Sequence, residues 1–228
     1  MTAPTIAGSG VMVTNEVAVA SNGDEYLVAW VEGFRPMGVF GPVGPHSLYV
    51  VRLRADGTAR DEKPLALEFN DGYHASPSIA WDGQSWVIVW QSGRGIRGAR
   101  VSRDGSMREA PSVVHAGNGE VIRAKVTSHG SSVLLAVRTL TWDRFSRRGE
   151  WSVTNIPSTS PLAAVPYLPQ TIIAAHPDEQ AGSLELVSGP GGVAWIYDRV
   201  ADESYGSVSR VFFKVLGDGI ARRRSVSR

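Results

Sequence analysis

Cysteine is absent from all 228 residues. That removes disulfide frameworks, thiolate zinc sites and a cysteine nucleophile, and it leaves the redox compartment undetermined. Lysine is almost missing too: Lys63, Lys125 and Lys214 are the only ones among 23 cationic residues. Arginine favours planar, bidentate contacts over point charges. A net charge of +1 and a pI near 8.1 give no field that would draw the chain to nucleic acid, so no such partner is expected. No apolar run reaches the roughly 18 residues of a spanning helix, so membrane insertion is not expected either. Met1-Thr2-Ala3-Pro4 has neither the basic start nor the apolar core of a signal peptide. The chain is therefore expected to be part of a larger or processed secreted or surface protein, or else cytoplasmic. Helix signals are also scarce. The one ambiguous stretch, residues 161 to 175, is broken by Pro161, Pro166 and Pro169 and is expected to stay extended or looped.

What is present is a repeat. VAVASNGDEYLVAW (17 to 30) and PSIAWDGQSWVIVW (77 to 90) each run apolar strand, glycine turn, apolar strand and terminal tryptophan. Gly23 to Trp30 and Gly83 to Trp90 are both seven residues apart. AKVTSHGSSVLLAV (124 to 137) keeps this spacing with Val137 in the tryptophan place, and LELVSGPGGVAWIY (184 to 197) has a longer turn. Pro4 to Gly23, Pro64 to Gly83 and Pro111 to Gly130 are each nineteen apart. Downstream, LYVVRLRADG, IRGARVSRDG and VFFKVLGDG close on Asp-Gly turns, whereas the third unit has Ser158-Thr159-Ser160 there. Period-two alternation rich in β-branched and aromatic residues makes each unit four antiparallel strands. The fold class expected is all-β: a β-propeller of four four-stranded antiparallel blades, with half of a larger propeller as the alternative. Approximate units are 14–70, 71–117, 118–173 and 174–228, forming a single domain.

The run from Pro77 to Trp90, followed by Ile96 to Gly105, resembles the β-propeller repeats common in secreted and surface proteins of bacteria such as myxobacteria. The resemblance implies the fold and a surface location, and carries no single activity. Residues 3 to 23 also align without a gap to 110 to 130, so residues 3 to 7 read as an outermost strand able to close a ring. Ser225 to Arg228 competes for the same place. A closed four-bladed monomer ranks first, ahead of a homodimer through open blade edges or part of a longer ring.

In such a blade the second-to-third-strand loop and the loop into the next blade open on one face, where loop variation carries function. Binding-face candidates on these loops are Phe34, Arg35, Phe40, His74, Trp142, Arg144, Arg147, Asp198, Asp202 and Tyr205. His74, His115 and His176 fall in inter-blade loops and His46 ends the long loop of unit one. With Asp71 or Asp178 they are weak candidates for a divalent metal, but no ligand-pair spacing such as His-x-x-x-His occurs, and no metal or other cofactor is expected. Trp30 and Trp90 read as core.

Gly93 to Gly98 fits G-x-G-x-x-G but joins two strands and opens no helix, so a dinucleotide site loses its mechanism. No P-loop, G-x-S-x-G elbow or His-Glu-x-x-His helix occurs. The foremost expectation is therefore a non-enzymatic binding or scaffolding propeller that holds a protein or glycan partner on the loop face. Alternatives are a hydrolase or lyase acting on polysaccharide, with acidic loop residues such as Asp202 and Glu203, and a structural subunit assembling by strand exchange.

Overall fold

The computed structural model describes residues 13–33, 46–69, 74–93, 95–116, 120–142, 147–164, 170–173, 179–189, 192–203, 206–216 and 221–225. They form four antiparallel sheets of four strands, each in simple chain order. The first comprises β1 (Val13–Ser21), β2 (Glu25–Gly33), β3 (His46–Arg54) and β4 (Leu65–Glu68). The second comprises β5 (His74–Trp81), β6 (Ser85–Ser92), β7 (Gly95–Ser102) and β8 (Met107–Ala116). The third holds β9 (Glu120–His129), β10 (Ser132–Trp142), β11 (Arg147–Pro157) and β12 (Gln170–Ile173). The fourth holds β13 (Glu179–Gly189), β14 (Gly192–Glu203), β15 (Gly206–Leu216) and β16 (Ala221–Ser225). First strands pack in succession, β1 on β5, β5 on β9 and β9 on β13, which makes them the inner strands of a propeller.

Turn chemistry explains why each hairpin closes where it does. Asn22 Oδ1 accepts the backbone N–H groups of Asp24 and Glu25, and Asp82 Oδ1 those of Gln84 and Ser85, at 2.7 to 3.0 Å. The Asp-Gly turns use the same device, with Asp56 accepting from Thr58 and Asp104 from Ser106. These bonds favour the ionised forms, so both carboxyls sit below the usual aspartate range.

Alternation then sorts side chains to the two faces of every blade. Leu27, Ala29, Val31, Leu48 and Val50 of blade one meet Ile79, Trp86, Ile88, Trp90 and Val101 of blade two. Ala80, Val87, Val89 and Ile96 on the other face of blade two meet Val126, Val133, Leu135 and Ile156 of blade three. Leu134, Ala136, Trp151 and Val153 meet Leu184, Val193 and Trp195 of blade four. Trp30 and Trp90 are core, as their spacing implies.

Arginines tie the blades together away from the loop face. Arg52 on β3 donates to the Arg103 carbonyl in the turn of blade two at 2.6 Å and pairs with Asp61 nine residues on. Arg100, at the equivalent place on β7, donates to the carbonyls of Pro157 and Ser160 at 3.1 and 2.6 Å and pairs with Glu109, again nine residues on. The Ser-Thr-Ser turn of blade three is thus the receptor for Arg100.

Two details differ from the sequence reading. Residues 162 to 164 form a short 3-10 turn, Leu162–Ala164, because Leu162 is buried against blades two and three and its N–H is held by Glu109 at 2.9 Å. The strand beside β15 in the fourth sheet begins earlier than Ser225: β16 pairs with β15 from Phe212↔Ser225 to Leu216↔Ala221. Residues 3 to 7 lie outside the described residues. No helix of the described residues is long and apolar enough to cross a membrane.

Candidate functional site

The loop face is marked by the starts of β1, β3, β5 and β7 and the ends of β2, β4, β6 and β8. Three of the four inner strands carry a carboxylate at this end: Glu16 on β1, Glu120 on β9 and Glu179 on β13. The fourth, β5, begins with His74 and has Ser76 in the place of Glu16. Both Glu16 and Ser76 stand seven residues before their hairpin glycines, Gly23 and Gly83.

These equivalent residues touch. Ser76 N–H donates to Glu16 Oε2, and the Ser76 hydroxyl lies 3.4 Å from Oε1. Ser76 is also the one described non-glycine residue with a positive φ, +51°. Its strand pairs Ala75 with Gln91 and next Ser78 with Val89, a register shift that accommodates a bulge. A left-handed residue at a bulge turns its N–H out of the ladder, and here that N–H meets the neighbouring blade's carboxylate. Ser78, two residues further, accepts the Val126 N–H of β9 on its hydroxyl at 3.0 Å. The inner rim is therefore stitched across blades by side-chain to backbone bonds.

Behind the rim lies a buried polar layer. Trp30 Nε1 donates to Glu32 at 2.9 Å while its ring stacks on Tyr49 with centroids 5.7 Å apart. His46 Nδ1 is 2.9 Å from the His74 carbonyl, which binds β3 of blade one to β5 of blade two. Gly33 makes room for that imidazole: a Cβ there would lie 1.9 Å from His46 Cδ2. Arg97 pairs with Glu68 at 3.1 Å across the same junction. His115 is buried at the end of β8, and desolvation pushes its pKa below the usual histidine value.

Of the binding-face candidates, His74 alone has a described side chain. His74 is buried, 1% exposed, and acts through its backbone carbonyl. Trp142, Arg147 and Asp202 sit on the loop-side ends of β10, β11 and β14 and Asp198 in the middle of β14, their side chains outside the described residues. Phe34, Arg35, Phe40, Arg144 and Tyr205, with His176, Asp71 and Asp178, lie wholly outside them. His46 meets the backbone of His74 and not its ring, and no three His, Asp or Glu side chains converge as a metal set among the described residues.

Sequence reasoning passed over Glu16, Ser76, Glu120 and Glu179. Local motifs cannot reveal a site whose members come one from each blade. For Glu16 and Ser76 the signal available was the shared seven-residue interval to the hairpin glycine; Glu120 and Glu179 stand ten residues before Gly130 and Gly189.

No family model matches the chain, and no curated protein matches it. Solved structures do. An exo-1,5-alpha-L-arabinanase from a bovine ruminal metagenomic library aligns at 12% identity and TM-score 0.53, covering 92% of this chain and 76% of its own. A glycoside hydrolase family 43 arabinoxylan arabinofuranohydrolase from Bacillus subtilis aligns at 11% identity and TM-score 0.56, over 93% of this chain and 52% of that one. The catalytic domain of a Coprinopsis cinerea GH62 alpha-L-arabinofuranosidase aligns at 15% identity and TM-score 0.52, over 96% and 70%. At these identities the likeness is one of fold, and it establishes the propeller. It also corrects the expectation of a non-enzymatic binding or scaffolding propeller, which rested on the lack of a catalytic string. The propellers that share this fold are named as an arabinanase, an arabinofuranosidase and an arabinofuranohydrolase.

Proposed function

We propose that this protein is a polysaccharide hydrolase whose acid and base come from the loop-side ends of its inner strands. The observation that carries the reading is the set of Glu16, Glu120 and Glu179, one carboxylate on each of three inner strands, in a fold shared with arabinan- and arabinoxylan-degrading enzymes. Glycosidic hydrolysis needs two carboxyl groups facing each other across the scissile bond: one protonates the leaving oxygen, and the other activates water or attacks the sugar. Carboxylates borne by the inner strands of different blades suit that need better than two on one strand. Adjacent residues such as Asp202 and Glu203 alternate to opposite faces of a single strand. Glu16 is held by Ser76 and so has a defined orientation, which suits it to the base role.

A glycan is the ligand that fits this reading, and a polymeric substrate fits a secreted or surface location. The test is release of reducing ends from linear arabinan, arabinoxylan and xylan by the wild type and by Glu16→Gln, Glu120→Gln and Glu179→Gln. Loss of the essential acid or base lowers kcat by about 10²- to 10⁴-fold, while Glu203→Gln leaves turnover unchanged. A folded wild type that cleaves none of these polymers, or Gln variants at all three sites that retain full activity, would overturn the proposal.

A further inference from the structure

The hairpin glycines set a common level on the inner strands. Glu16, Ser76 and Arg123 each stand seven residues before theirs, Gly23, Gly83 and Gly130. The first two meet each other, so the carboxylate of blade one has its partner in blade two. Arg123 on β9 is exposed and, among the described residues, makes no hydrogen bond or ion pair. Lys125, two residues nearer the hairpin and on the same side of β9, does have a counter-ion: its Nζ lies 3.0 Å from Glu185 of β13. The cation toward the hairpin is neutralised, and the one toward the mouth stands open.

A second arginine stands beside it. Arg123 and Arg138 are direct partners in the ladder between β9 and β10, so both leave the same face of blade three, with Cβ atoms about 5 Å apart. Like charges directly opposite destabilise a sheet, and an anion held by Arg123 relieves that repulsion. The chain beyond Arg138 keeps the same sign. Residues 138 to 148 hold four arginines, at 138, 144, 147 and 148, against one acid, Asp143. The matching connection of blade four, residues 198 to 207, holds three acids against one arginine. Blade three is therefore the cationic side of the loop face.

We infer that Arg123, with Arg138 beside it, binds the carboxylate of an acidic sugar, so that the polysaccharide taken by this face carries uronic acid units. A guanidinium presents paired N–H donors in a plane that matches a carboxylate, and it stays charged at every working pH. A sugar with hydroxyls alone leaves Arg123 uncompensated, whereas a uronate supplies the anion in a geometry the fork accepts. The inference rests on the reading that the loop face takes a glycan, and it adds the chemical class of that glycan.

Isothermal titration with polygalacturonate and with its fully methyl-esterified form compares one backbone with and without carboxylates. The wild type is expected to bind the acid form at least about tenfold more tightly, and Arg123→Gln to lose about tenfold, the scale of one charge-assisted contact. Arg123→Lys is expected to fall between, since it keeps the charge and loses the planar fork. Arg108→Gln removes an equal exposed charge beside Gln84, at the hairpin end of blade two, and is expected to bind as the wild type does. Equal affinity for acid and ester, full affinity in Arg123→Gln, or an equal loss from Arg108→Gln would overturn the inference. So would dextran sulfate binding as tightly through the same arginine, because charge alone would then account for the contact. Arg123-dependent binding of polygalacturonate with no reducing ends released from any polymer leaves this inference standing and removes the hydrolase reading. Release from arabinan without binding of polygalacturonate does the reverse.

Discussion

Replacing Arg100 by Met separates the buried arginine tie from simple packing, since the apolar stem is kept and the guanidinium removed. Arg100 is 1% exposed and lies 3.2 Å from Asp82, itself fully buried, with Glu109 as its second carboxylate and the carbonyls of Pro157 and Ser160 as further acceptors. Breaking a buried pair by removing one partner costs about 3–5 kcal/mol, largely through the charge left behind. Two features pull the value to the low end. Asp82 still accepts from Gln84, Ser85 N–H and the Ser85 hydroxyl, and Glu109 is 25% exposed to solvent. The expected loss is about 3 kcal/mol, which lowers Tm by roughly 6–12 °C for a chain of this size. Urea denaturation followed by tryptophan fluorescence measures it, because Trp90 and Trp151 flank this junction in blades two and three. Arg52→Met provides the internal comparison. Arg52 and Asp61 are more exposed, at 9% and 23%, so a smaller loss of about 1–2 kcal/mol is expected there. Adding Glu109→Gln to Arg100→Met should recover part of the loss by removing the stranded charge, while its amide oxygen still accepts from Leu162. A loss under about 1 kcal/mol for Arg100→Met, or an equal loss at both arginines, would refute the argument from buried charge.

The two Asp-Gly turns allow a second test. Gly57 and Gly105 have φ of +82° and +90°, so alanine at either carries a left-handed strain of about 1–2 kcal/mol. A Cβ at Gly57 meets open space, whereas at Gly105 it lies 2.7 Å from the Arg52 guanidinium, so Gly105→Ala is expected to melt lower than Gly57→Ala by differential scanning calorimetry. The third concerns acid. The folded pKa of His115 lies below its unfolded value of about 6.5, so the unfolded chain takes up the proton first as pH falls. Stability should hold above that value and decline below it, until the folded pKa is also passed. His115→Gln should flatten the dependence of the urea midpoint on pH through this window, and an unchanged slope would count against burial as the cause.

Much of the architecture was legible because a propeller blade is written locally. Turn glycines at fixed intervals, Asp or Asn accepting from residues two and three positions on, and strict alternation specify four strands per unit without reference to the other units. The tryptophan spacing correctly marked Trp30 and Trp90 as core for the same reason: position along an alternating strand decides which face a side chain takes.

The site was not legible in that way. Glu16 and Ser76 are 60 residues apart and become neighbours only because successive blades stack in register. His74 and His46, read as loop histidines, are buried where blade two meets blade one. The sequence by itself determined the repeat, the turns and the two apolar faces of every sheet, since these follow from nearest-neighbour sterics and period-two patterning. Only the tertiary structure decided that Ser76 meets Glu16 at the inner rim, that His46 reaches the His74 carbonyl, and that Arg52 and Arg100 tie successive blades. Those outcomes depend on contacts between units, and a repeat spells its units while leaving the order of their stacking to packing in three dimensions.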